Sequence, residues 1–236
     1  MDDDPRPMTG LSTEFQLAIF DCDGVLVDSE PLAHQVLIEA LREFGIELDL
    51  DQAMRLFMGN TLQQNVAVIE RLLGRPLPEQ FFPEWREMLY ARFRSEPVRA
   101  VTGVADVLDS LTMPCCVVSN GPFRKMETTL GVTGLLSRFE GRLYSAESGL
   151  RGKPAPDLFL AAARDFAVDP TRAFVVEDSP TGVAGAVAAG MTVFGYAGAD
   201  HTDAGELAGA GARVFTTMPE LRALLAAPTS GRADRA

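Results

Sequence analysis

Two aspartates one residue apart, Asp21 and Asp23, directly follow the apolar run Leu17–Phe20 and open the stretch Asp21-Cys22-Asp23-Gly24-Val25-Leu26-Val27-Asp28-Ser29-Glu30. If the chain leaves extended geometry at Cys22, both carboxylates can face one crevice, where one attacks phosphorus and the other handles the leaving-group proton. Gly24 permits the tight backbone path this needs. Standing alone, the pair reads equally as a turn cap. Cys22 is a poor nucleophile between two carboxylates, which raise a thiol pKa, and reads as a small filler.

Three further groups end apolar runs or precede a helix. Ser119-Asn120-Gly121-Pro122 follows Cys115–Val118 and offers a hydroxyl, an amide and turn N–H groups to phosphoryl oxygens, though it is also an ordinary turn. Lys153, before Pro154 and Pro156, can place its ammonium on a phosphate as a point charge, while the prolines are equally helix-start punctuation. Glu177-Asp178 closes the run Phe174–Val176. With Asp21 and Asp23 it gathers four carboxylates, and at about 4 Å and an effective dielectric near 20 each pair repels by roughly 4 kcal/mol. A divalent cation resolves that conflict, and oxygen-only ligands suit magnesium. Zinc or copper would want His or Cys, and the only histidines are His34 and His201.

The elements that must position these groups are short apolar runs separated by helical patterns. Leu17–Phe20, Cys115–Ser119, Phe174–Val176, Thr192–Phe194 and Arg213–Phe215 read as buried strands, with Cys115 and Cys116 as core, and the alternation predicts an α/β, doubly wound parallel sheet. Ligands of such sheets sit beyond the carboxyl ends of the strands, where Asp21, Ser119 and Glu177 fall. Residues 31–97 differ: Leu37-Ile38-Leu41-Phe44 and Val66-Ile69-Leu72-Leu73 keep helical period without a strand. Breaks at Gly45, Gly59-Asn60, Gly74-Arg75-Pro76 and Pro83 predict about four helices, an inserted all-helical cap between core segments 13–30 and 98–227. Trp85, Tyr90 and Phe93 are read as packing within that cap, and His34 as an exposed helix residue without a catalytic role. The tails, 1–12 and 228–236, are polar enough to be disordered.

The chain has 236 residues and a net charge of -12 from 33 acidic and 21 basic side chains, which repels nucleic acid and anionic membranes and points to small molecules or cations as partners. An anionic protein handling an anionic substrate needs local cations, in keeping with a metal and Lys153. The acidic N-terminus lacks a secretory pattern, and three cysteines form no paired framework, so a cytoplasmic place is expected. Ser179–Ala199 carries no charge, but its glycines predict a short helix ending at Gly190 and a strand at Met191–Gly195, not a membrane span.

The order of the four motifs, their places after strands and the helical insertion between the first two resemble the haloacid dehalogenase-like hydrolases, in the phosphoglucomutase-like branch with a helical cap. The resemblance covers residues 14–227. Within the branch, Cys116-Val117-Val118-Ser119-Asn120-Gly121-Pro122 followed by Lys125-Met126 is most similar to bacterial 6-phosphogluconate phosphatases. The resemblance implies a Rossmann-like core with Asp21 as nucleophile and Asp23 as the general acid that later activates water. It implies Mg²⁺ held by the Asp21 side chain, the Asp23 backbone carbonyl and Asp178, with Glu177 a ligand or its neighbour, and a phosphoryl group held by Ser119, Asn120 and Lys153. Aspartate at 23 favours phosphoryl chemistry over dehalogenation.

The expected function is a magnesium-dependent phosphatase of a small phosphorylated metabolite, a sugar phosphate or sugar-acid phosphate such as 6-phosphogluconate, working through an aspartyl-phosphate on Asp21, as a monomer or small homo-oligomer. The alternatives are a phosphosugar mutase of the β-phosphoglucomutase type and a non-catalytic binding protein. Mutases of the branch carry a serine-arginine pair in a cap loop. This chain has Met58-Gly59-Asn60-Thr61-Leu62-Gln63-Gln64, with no arginine there to grip a second phosphate and with amides and a hydroxyl suited to a polyol or sugar acid.

Overall fold

The computed structural model describes residues 15–57, 62–199 and 202–226. The two tails expected to be disordered, the cap-loop residues Met58 to Thr61 and His201 lie outside them.

In chain order the elements are β1 (Leu17–Phe20), β2 (Val27–Asp28), α1 (Glu30–Arg42), α2 (Leu50–Phe57), α3 (Leu62–Leu73), α4 (Phe81–Ser95), β3 (Arg99–Ala100), α5 (Val104–Ser110), β4 (Cys115–Ser119), α6 (Phe123–Val132), β5 (Leu143–Ser145), α7 (Asp157–Asp165), β6 (Ala173–Glu177), α8 (Pro180–Ala188), β7 (Thr192–Tyr196), α9 (Ala204–Gly209), β8 (Arg213–Phe215) and α10 (Met218–Ala226). Six strands form one parallel sheet in the order β5-β4-β1-β6-β7-β8. The chain winds outward from β1 first to one side and then to the other, so the strand order reverses at β1.

Successive strand residues point to opposite faces, and both faces are apolar. Ala18, Phe20, Val117, Phe174, Val176 and Phe194 enter one core cluster, while Leu17, Ile19, Cys116, Val118, Val175 and Val193 enter the other. Phe15, Phe174 and Phe194 meet edge to face at 5.2–6.5 Å between centroids, which adds geometric preference to burial. Strands buried on both faces read as continuous apolar runs, which is why β1, β4, β6 and β7 are visible in the sequence, while the edge strand β8 has Arg213 exposed and Val214 half-buried. β5 (Leu-Tyr-Ser) is short and half-buried, and β2 and β3 have two residues each, too few to carry a period.

Helices α1 to α4 enclose a third cluster containing Leu37, Leu41, Ala53, Phe57, Ile69 and Phe81, and constitute the helical cap. Pro83 is not a break. It occupies the first turn of α4, where its missing N–H has no intrahelical acceptor to lose. Tyr90 and Phe93 pack into the cluster shared with the core, not within the cap alone, and Trp85 touches both clusters. The chain enters and leaves the cap through the antiparallel ribbon β2–β3, in which Val27 pairs with Ala100 and Asp28 with Arg99. Among the described residues no helix is long and apolar enough to cross a membrane. Ser179–Ala199 instead forms α8 and β7.

Candidate active site

Asp21, Ser119 and the Glu177-Asp178 pair stand at the carboxyl ends of β1, β4 and β6, three adjacent strands. Asp21 prolongs β1 by one bond, its N–H donating to the Val176 carbonyl at 2.9 Å. The chain then turns: Leu26 and Val27 N–H groups both donate to the Cys22 carbonyl at 3.0 Å, and Gly24 to that of Val27 at 2.8 Å. Gly24 has φ +81°, and a Cβ there would lie 1.8 Å from Asp178 Oδ2, so both the turn and the approach of the second acidic motif demand glycine.

Lys153 reaches the strand ends from the loop before α7. Its backbone is clamped by Asn120, whose Oδ1 accepts the Lys153 N–H at 2.7 Å while its Nδ2 donates to the Lys153 carbonyl at 3.1 Å. The Asn120 side chain, expected to meet phosphate, therefore positions the lysine. The Lys153 ammonium ion-pairs with both Asp21 and Glu177. Burial pushes that ammonium toward neutrality, but the attraction of the two carboxylates outweighs burial and its net shift is upward.

Glu177 is fully buried; its other oxygen accepts from the Ser179 hydroxyl at 3.1 Å, and a Cβ on Gly182 of α8 would fall 2.1 Å from its carboxyl carbon. Asp21, Glu177 and Asp178 bring carboxylate oxygens within 4.8 Å of one another, so three acids gather where four were expected. The Asp23 side chain is drawn elsewhere, to Lys125 Nζ at 2.9 Å and the Ser29 hydroxyl. Burial raises Asp21 to about 7, with repulsion from Glu177 and Asp23 adding to it and Lys153 opposing it. Asp178 is pushed well above the usual carboxylate range by burial and then by Asp21 and Glu177. The Cys22 thiol is also driven up, by burial first and by both flanking aspartates. It is packed as filler.

Three hard oxygen donors, two of them pushed toward protonation by burial first and by mutual repulsion second, suit a divalent cation. Lys153 and the Ser179 hydroxyl engage the two oxygens of Glu177, and Lys153 also takes Asp21 Oδ1, which leaves Asp178 and the second Asp21 oxygen as the freer donors.

Asp21, Asp178, Ser179 and Lys153 form the floor of a cavity of about 1070 Å³ whose opposite wall is the cap, with Glu177 buried beneath it. Ser119 is buried at the floor, its Oγ accepting the Gly121 N–H at 3.0 Å. His34 is 6% exposed, not surface-borne as the sequence suggested: it lines the cavity, with Nδ1 2.9 Å from the Glu30 carbonyl oxygen. Glu30, in the first turn of cap helix α1, lies 3.8 Å from Lys125.

Several cavity residues had no sequence signal as site residues. Lys125 sits within α6, and only the cross-chain approach to Asp23 singles it out. Arg55 of α2 lines the wall, so the cap does bring an arginine over the site, from a helix and not from the loop where it was sought. Asn65 and Trp85 line it too, whereas Gln63 and Gln64 are exposed on α3 and do not.

The haloacid dehalogenase-like hydrolase family matches residues 18–196. The 6-phosphogluconate phosphatase of Escherichia coli is 32% identical over 189 residues, covering 80% of this chain and 86% of the relative. Among solved structures, a haloacid dehalogenase-like protein of unknown function from Agrobacterium tumefaciens is 39% identical with a TM-score of 0.79, covering 90% of this chain and 98% of that one. A hydrolase from Deinococcus radiodurans, crystallised with phosphate and sodium, is 34% identical with a TM-score of 0.77 and covers 91% and 96%.

Proposed function

The chain belongs to the haloacid dehalogenase-like hydrolase family and is a phosphoric monoester hydrolase, and from that premise we propose that it is a magnesium-dependent phosphatase of a sugar phosphate or sugar-acid phosphate, with Asp21 as nucleophile. The observation that carries this reading is the placement of Asp21 against Lys153 at the cavity floor, with Asp23 held two residues away by Lys125 and Ser29.

Asp21 attacks phosphorus in line with the ester bond, forming an aspartyl-phosphate as the ester oxygen departs. Asp23 delivers the proton to that oxygen, then takes one from the water that hydrolyses the acyl phosphate and frees inorganic phosphate. Lys153, the Ser119 hydroxyl and backbone N–H groups of the Ser119–Pro122 turn offset negative charge on the phosphoryl oxygens in a site the cap shields from water. Asp21, Asp178 and the Asp23 backbone carbonyl, with Glu177 beside them, would hold Mg²⁺, which supplies further neutralisation of phosphoryl charge when bound. The Escherichia coli relative supports 6-phosphogluconate as the first substrate to try.

Arg55 on the cap wall favours one second reading, a mutase in which that arginine grips a second phosphate. Phosphate release from 6-phosphogluconate by wild type and by Asp21→Asn tests the first: the variant should fold and fall below about a thousandth of wild-type turnover, a larger loss than the roughly 10³-fold of lesser site groups. Phosphorus NMR of β-glucose 1-phosphate with catalytic glucose 1,6-bisphosphate tests the second. Glucose 6-phosphate appearing faster than free phosphate would replace the phosphatase reading.

A further inference from the structure

Among the described residues three cations line the cavity, and two are already committed: Lys153 to Asp21 and Glu177, Lys125 to Asp23 and Glu30. Arg55 has no ion-pair partner among the described residues and presents a solvent-accessible guanidinium from α2. On the same cap wall, Asn65 Oδ1 and Trp85 Nε1 are buried with no hydrogen-bond partner among the described residues. A buried acceptor or donor left unpaired is costly, and native structures seldom tolerate one without a ligand or water to complete it. The ring of Trp85 stands edge to face with Phe82 at 5.9 Å, which fixes where the indole N–H sits.

We infer that Arg55, Asn65 and Trp85 form a distal subsite that takes the hydroxylated, carboxylate-bearing end of the substrate, so that the enzyme selects a phosphorylated sugar acid over the corresponding neutral sugar or polyol phosphate. This rests on the phosphatase reading and names its substrate class. The guanidinium fork matches a carboxylate in bidentate geometry. Asn65 Oδ1 can accept from a substrate hydroxyl, and the indole N–H can donate to a hydroxyl oxygen. Of the anionic groups on the cavity wall beyond the catalytic floor, the Asp203 carboxylate is engaged in capping α9, accepting from Gly205 and Glu206 N–H groups at 2.7 and 3.0 Å. Glu206, exposed like Arg55, also lines the cavity, and Arg55 is the cation there without an ion-pair partner among the described residues. A single arginine neutralises a monoanionic carboxylate in full and a dianionic second phosphate only in part.

The test compares 6-phosphogluconate with glucitol 6-phosphate, which differ at the carbon carrying carboxylate or alcohol, and adds glucose 1,6-bisphosphate as a doubly phosphorylated ligand. Calorimetric binding to Asp21→Asn reads affinity without turnover, and kcat/KM on wild type reads the same preference in catalysis. A site built for a charged partner discriminates by about 10-fold or more, mainly in KM. Arg55→Gln should bring the ratio to within about threefold of one, Arg55→Lys should fall between, and Trp85→Phe, which removes the indole N–H together with part of the ring, should weaken binding of both hydroxylated ligands several-fold. A wild-type ratio near one, an Arg55→Gln variant that keeps the preference, or tighter binding of the bisphosphate would overturn the subsite. Absence of phosphate release from every ester with the binding preference intact would instead refute the phosphatase reading alone.

Discussion

Replacing Lys153 by Met removes the cation that joins the floor of the site while keeping most of its apolar stem. In the folded protein the Lys153 side chain is 4% exposed and faces Asp21, 12% exposed, and Glu177, fully buried. Removing one partner of a buried pair costs about 3–5 kcal/mol, because the remaining charge is left in low dielectric. Here two carboxylates remain, and they also repel each other. The protein relieves the strain by protonation at this pair, so the Asp21 pKa rises beyond the upward shift it already shows. A carboxylate whose folded pKa is raised contributes stability below its unfolded pKa and loses it as pH climbs through the folded value. The deficit of Lys153→Met must therefore grow between pH 5 and pH 8. Urea denaturation of metal-free wild type and variant at both pH values should give a difference near the full 3–5 kcal/mol at pH 8 and clearly less at pH 5, or about 6–20 °C in Tm at the higher pH. Adding Glu177→Gln to the variant should recover part of the loss. A deficit under about 1 kcal/mol at pH 8, or one larger at pH 5, would refute the picture of a lysine neutralising two buried acids.

The same linkage predicts that metal-free wild type loses stability as pH rises from about 4 through about 7, since Asp21 and Asp178 are both shifted upward, and that magnesium at a hundredfold excess over its Kd restores about 2.7 kcal/mol. Thermal melts with chelator and with magnesium at pH 5 and 8 check this, and full activity after chelation would contradict the proposed metal site. We also propose that residues 31–97 move as a body about linkers near Asp28–Pro31 and Glu96–Arg99, admitting water after the first half-reaction and excluding it during attack. Hydrogen exchange on Asp21→Asn should then change in those linkers on adding magnesium and 6-phosphogluconate while the interiors of α1 and α4 stay constant; unchanged linkers would argue for a fixed cap.

Much of this protein was legible before any fold was known, because its decisive signals are local. Strands buried on both faces are continuous apolar runs, so β1, β4, β6 and β7 announce themselves, and the residue after each run must stand at the sheet's carboxyl edge. That alone brings Asp21, Ser119 and Glu177 together. The chemistry of carboxylate pairs and a lone lysine is equally a property of residue type and position. What the sequence could not determine is which partner each side chain takes, since that depends on segments far apart in the chain. Asp23 turns from the acid cluster to Lys125 on α6, and Asn120 spends its amide on the backbone of Lys153, 33 residues away. His34 looked like a surface residue because one helix face carries no record of what covers it, yet the cavity wall buries it. Arg55 lay outside the loop where an arginine was sought, and only the packing of α2 within the cap, through Ala53 and Phe57, turns it toward the catalytic floor. Local periodicity fixes elements and strand ends; the pairing of charges across a crevice belongs to tertiary structure, because Coulomb energy depends on distance in space and not on separation along the chain.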